Sequence, residues 1–110
     1  MTQADVIGML GRRLGDLDVL RGSFDKDSPE RKALDVQRDE LSGRREILTK
    51  KYFKESAKSY KKITREISKI DGDLQGVIRE VAKVGETLKT LAQLMTAVDE
   101  LIKIAAEAMV

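Results

Sequence analysis

The 110-residue chain contains no histidine and no cysteine. That removes the usual proton shuttle near neutral pH, the thiolate nucleophile and the common zinc ligands. Four carboxylate pairs remain for acid–base work: Asp16/Asp18, Asp25/Asp27, Asp39/Glu40 and Asp99/Glu100. With 36% of residues charged, neighbouring acids of this kind read as solvated helix faces. A carboxylate di-iron bundle needs Glu-x-x-His, which this chain cannot supply. Nucleotide-binding, serine-hydrolase and zinc-peptidase signatures are missing too. The expectation is a protein that is not an enzyme, with no metal, no cofactor and no small-molecule substrate.

Two segments concentrate functional groups. Asp71-Gly72-Asp73-Leu74-Gln75-Gly76-Val77-Ile78 resembles the first eight positions of an EF-hand calcium loop. It departs from that pattern at Gln75, at Arg79 and above all at Ala82, which stands where a bidentate glutamate belongs. Without it a hard cation loses two oxygen ligands, so the segment reads instead as a helix break.

The second segment is basic. Net charge is only +2, but residues 44–69 hold ten cations against three anions, between flanks in which anions outnumber cations. On a helical wheel Lys50, Lys51, Lys54, Lys58, Lys61, Lys62, Arg65 and Lys69 share an arc of about 120°, with only Ser68 among them. As one helix they would cover about 28 Å. Such a face suits nucleic-acid phosphates, an anionic lipid surface or an acidic protein. Tyr52, Phe53 and Tyr60 fall toward the apolar side of that wheel, which argues against base stacking.

The elements that would carry these groups are helical. Aromatic residues make up 4%, and there is one proline; a composition rich in Ala, Glu, Lys, Leu and Arg marks long helices or coiled coils. From Tyr60 onward Ile63, Ile67, Ile70, Leu74, Val77, Val81, Val84, Leu88, Leu91, Met95, Val98, Ile102, Ala105 and Met109 recur at steps of three and four. Phe53 and Ser56 extend the phase backward. A sustained seven-residue repeat predicts helices wound around a partner helix.

Upstream the repeat weakens: Leu34, Leu41 and Leu48 keep the spacing, with Arg38 and Arg45 near the intervening positions. Ser28, Pro29 and Glu30 form a strong helix start. A first helix is expected over about 3–21, with Ile7, Leu10, Leu14 and Leu17 on one face, then a loop over 22–28. Gly8, Gly11 and Gly15 weaken that helix by about 1 kcal/mol each relative to alanine, unless they admit a close neighbour.

The expected architecture is all-α: long helices over about 29–70 and 74–109, turning at Gly72 into a coiled-coil hairpin, with the short helix at its base. One end would then be a three-helix bundle. The alternative is one continuous helix of about 120 Å in an oligomeric coiled coil. Near the C-terminus Ala92, Leu94, Ala97, Leu101, Ile104 and Ala108 broaden the stripe, and a broad stripe needs two neighbours.

The expected function is that of a structural or protein–protein interaction protein, self-associating or docking on a helical partner through the stripe from Tyr60 to Ile102. The alternatives are polyanion binding by the basic face and, for a secreted protein, membrane insertion of the apolar C-terminal stretch. No stretch reaches the length of a membrane span, and the first residues lack the pattern of a secretory signal. The default expectation is a cytoplasmic protein, with leaderless export as the alternative.

Overall fold

The structure, a computed structural model, describes residues 1–108, with side chains as far as Ala105. Met109, the last stripe position, and the side chain of Ala108 lie outside the described residues. Among these, four α-helices and no strand are present: α1 (Gln3–Arg21), α2 (Pro29–Thr49), α3 (Lys58–Gln75) and α4 (Val84–Ala108), with a 3₁₀ turn at Val81–Lys83 leading into α4.

Each helix start has a local cause. Thr2 and Asp5 form a reciprocal cap on α1: the Thr2 hydroxyl accepts from the Asp5 N–H at 3.1 Å, and the Asp5 carboxylate accepts from the Thr2 N–H at 2.9 Å. Ser28 caps α2 by accepting from the Arg31 N–H, with Pro29 in the first turn. The Arg31 guanidinium also donates to the carbonyls of Arg21 and Phe24, tying the end of α1 to the start of α2.

α1 packs on α2, α2 on α4, and α4 on α3. The broad stripe of α4 is accounted for by these two neighbours: Leu91, Leu94, Met95, Ala97, Val98, Leu101 and Ala105 are all buried. α1 lies antiparallel to α2, since Gln3 reaches the carbonyls of Leu48 and Lys51 while Asp18 pairs with Arg38. α3 returns alongside α1, with Tyr60 bonded to Met1 and Asp71 to Arg13. The perimeter order is therefore α1, α2, α4, α3, and the 50–57 link crosses one end of the bundle diagonally.

Two long arms turning at Gly72 are not what forms, and neither is a rod. The expected 29–70 helix is two helices separated by residues 50–57, and α3 runs straight through Gly72 to Gln75. The molecule measures 45 × 22 × 18 Å, far short of 120 Å. The repeat misled because it reports burial and not helical continuity. Phe53, a repeat position, is buried outside the α-helices, and in the second link Val77 keeps the phase half-buried while Ile78, off the repeat, is the fully buried residue, so apolar residues keep recurring while the backbone leaves the helix. Nothing in the 50–57 stretch is a strong breaker. Where the helix stops, the Gln3 amide donates to the Leu48 and Lys51 carbonyls at 2.7 and 2.8 Å beside the local bonds from the Lys50 N–H, a tertiary contact invisible along the chain. At the other end Gly76, not Gly72, follows the last helical residue, and it does so with ordinary right-handed φ of −71°.

Candidate polyanion-binding face

α3 is held by its inward face, on which Tyr60, Thr64, Ile67, Asp71 and Leu74 are buried. Its outward face carries Lys58, Lys61, Lys62, Arg65 and Lys69, all exposed and within an arc of about 100°. Lys58, Lys61, Lys62 and Arg65 together line a shallow surface hollow of about 340 Å³. The eight-residue ribbon expected on one helix is thus shorter than expected. Lys50 is the cap residue ending α2, and Lys51 and Lys54 stand on the link. The link's non-helical backbone breaks the common wheel, leaving five cations on the helix and three at its approach.

The clustering of cations without an internal partner sets this face apart. Arg13, Arg21, Arg31, Arg38 and Arg44 are each paired with carboxylates of the bundle itself, Arg44 with Asp99 at 2.8 Å and Arg38 with Asp18 at 3.0 Å. Among the described residues Lys51, Lys54, Lys58, Lys61, Lys62, Arg65 and Lys69 form no ion pair within 4.0 Å. Lys50 touches Glu46 at 3.5 Å, with both side chains about seven-tenths exposed. Held side by side on a rigid helix, the α3 cations repel one another, and an incoming multivalent anion would relieve that repulsion.

The aromatic residues divide. Phe53 and Tyr60 are buried, with ring centroids 5.8 Å apart, and the Tyr60 hydroxyl donates to the Met1 carbonyl at 3.0 Å. Burial, assisted by Glu55 and Asp5, pushes the Tyr60 phenol up to about 12. Tyr52 is 68% exposed. Its expected place on the apolar side is corrected, because residues 51–54 are not helical and the side chain next to a buried Phe53 points outward.

The stripe points inward. Tyr60, Ile67, Leu74, Leu91, Met95 and Val98 are buried, and Ile63, Ile70, Val77, Val84, Leu88 and Ile102 are half-buried against the same core; Val81 is 44% exposed. The helices that cover it are this chain's own, because the links at 50–57 and 76–83 bring α4 onto both α3 and α2. The same core takes in Leu91, Leu94, Met95, Ala97, Val98, Leu101 and Ala105 of the C-terminal stretch, while Ala92 is exposed, and among the described residues no helix is long and apolar enough to cross a membrane.

Asp71 and Asp73, the calcium-like pair, part company on α3. Asp71 turns inward to accept from Arg13 Nε at 2.7 Å and from Gln75 at 2.8 Å, while Asp73 is exposed. Arg13 also donates to Asp16 at 2.6 Å. This buried cluster joins α1 to α3, and neither sequence motif nor periodicity pointed to it; a lone arginine on the apolar face of α1 was its one trace. Gly11 serves the α1–α2 contact: a Cβ there would lie 2.9 Å from the Arg45 guanidinium, whose Nε donates to the Ile7 carbonyl.

Neither a family model, nor a curated protein, nor a solved structure gives a significant match to this chain.

Proposed function

We propose that the protein is a non-enzymatic helical bundle that binds a polyanion through the outward face of α3. The observation that supports this most is the division between Arg13, Arg21, Arg31, Arg38 and Arg44 of α1 and α2, which are spent on internal pairs, and the five clustered cations of α3, which are exposed and form no ion pair among the described residues. Side chains that stabilise no internal contact, yet are set at helical spacing along one ridge, suit a linear array of negative charge.

Binding of an oligonucleotide or of anionic vesicles, followed by fluorescence anisotropy or co-sedimentation, tests it. Five phosphate contacts on a single strand give a log–log salt slope of about −3.5. Changing Lys58, Lys61, Lys62 and Arg65 together to Glu is expected to weaken binding about 100-fold or more, whereas Lys89→Glu with Lys103→Glu, on α4, leaves it nearly unchanged. Equal loss in both variants, or no binding at low salt, defeats the proposal.

Contact with a helical partner protein or a second copy remains a second proposal, moved from the buried stripe to the outer face of α2. There Val36 and Ile47 are 57% and 42% exposed, and Gly43 between them has open space beyond its Cα, so another helix can approach closely. Val36→Lys with Ile47→Lys is expected to abolish any association seen by sedimentation; association that persists in this variant rules that face out.

A further inference from the structure

We infer that Tyr52 is a stacking platform for an unpaired nucleobase, so that the polyanion taken by this face is single-stranded nucleic acid; this rests on the proposal above and narrows it. Solvent-exposed aromatic rings are scarce here. The chain has two tyrosines, two phenylalanines and no tryptophan, and Tyr52 is the most exposed of the four at 68%. It stands between Lys51 and Lys54, on the link that feeds α3.

The link is pinned and not loose. Its start is held by the Gln3 amide on the Lys51 carbonyl at 2.8 Å, and its later part by Glu55, which accepts from the Gln3 N–H at 2.9 Å. Between these ties the Phe53 ring is buried against Tyr60 in the first turn of α3. With residue 53 anchored inward, the adjacent Tyr52 ring is exposed on the link, six residues ahead of Lys58 at the head of the cation row. The row then continues from Lys58 to Lys69 over about 16 Å. A flat ring followed by a line of exposed ammonium and guanidinium groups can take a base at one end and the phosphates that follow it. A duplex keeps its bases stacked inside and has no use for the ring. A lipid surface would draw on apolar side chains around it, and the other exposed groups of the link, Lys50, Lys54, Glu55 and Ser56, are polar.

The test uses the full-length protein with three probes: an oligodeoxythymidylate of about 15 nucleotides, a duplex of the same length, and phosphatidylserine-containing vesicles. Tyr52→Ala is expected to weaken oligodeoxythymidylate binding roughly tenfold, with Tyr52→Phe close to the parent and the duplex indifferent to both. Because no tryptophan interferes, tyrosine emission reports directly, and stacking should quench it in the parent but not in Tyr52→Phe, where only buried Tyr60 emits. If Tyr52→Ala binds the unpaired strand as tightly as the parent while the α3 charge reversal abolishes binding, the stacking role falls and the polyanion proposal stands. If the vesicles are the one probe that loses affinity in Tyr52→Ala, the ring serves a membrane and the nucleic-acid assignment falls. Failure of the parent to bind any probe removes both.

Discussion

Arg13 is the residue whose environment costs most to maintain. It is 7% exposed, on a helix face otherwise made of Val6, Met9, Leu10, Leu14, Leu17 and Leu20, and its charge is offset by Asp71 and Asp16, which accept hydrogen bonds from it at 2.7 and 2.6 Å. Burial alone would lower its pKa, and the two carboxylates together outweigh that and raise it. Breaking such a cluster from one side strands a charge, whereas replacing it with packed apolar groups is close to neutral. Asp71→Ala is therefore expected to lower unfolding stability by about 3 kcal/mol, and Arg13→Leu with Asp71→Leu by far less, as measured by guanidinium denaturation. A double variant as unstable as the single one would mean that the pair contributes more than its own neutralisation. Tyr60 carries a pH signature of its own. Its phenol, buried and near Glu55 and Asp5, is held above the ordinary 10.0, at about 12. The unfolded chain therefore gives up the proton first. The stabilisation is complete below pH 10 and disappears as pH rises toward 12, and Tyr60→Phe should flatten that part of the stability profile. An unchanged profile in Tyr60→Phe would assign the alkaline loss to other groups.

At the scale of the element, the two glycines of the 71–76 segment show how position outweighs residue type. Gly72 sits inside α3 with right-handed backbone and nothing within 4 Å of a Cβ placed there. Gly76 follows the last turn, and a Cβ there would meet the Asp73 carbonyl at 3.3 Å. Alanine at 72 is consequently expected to stabilise the protein by about 1 kcal/mol through helix propensity. A turn at Gly72 would give the reverse sign, so a thermal melt of Gly72→Ala separates the continuous α3 from the hairpin expected from sequence. The start of α2 was legible because every signal for it is local: Ser28, Pro29 and the orphan N–H groups they serve lie within one turn. Its end was less so, because the side-chain amide that joins the local N–H groups on the Leu48 carbonyl belongs to Gln3, more than forty residues away.

For the whole molecule, the consequence of folding the stripe inward is size. The Cα radius of gyration is 14.3 Å, and solution scattering of a single copy should return about that value plus a hydration layer. A rod of about 120 Å would scatter with a radius of gyration of about 35 Å, and a result of that size would overturn the bundle. The charge distribution is also a property of the whole. α1 and α2 are stitched by Arg21–Asp35 and Arg38–Asp18, α2 and α4 by Arg44–Asp99. α3 is secured mainly by its apolar face and the buried Arg13–Asp71 pair. That division leaves one corner of the bundle strongly basic while the net charge is only +2.

Helical class, the start of α2 and the breadth of the α4 stripe could all be read from residue types and spacing, since capping and amphipathic periodicity act over a few residues. The cations of 58–69 were also legible as one face, because about three turns of a single helix carry them. What lay beyond reach was which apolar residue meets which. A seven-residue repeat states that water must be excluded from one side of the chain, and it is satisfied equally by a second molecule or by the same chain folded back. Gln3 on the end of α2 and Arg13 on Asp71 settle that choice, and they join residues 45 to 58 positions apart; contacts at that separation leave no periodic trace, because they depend on the path of the backbone through space and not on the order of residues along it.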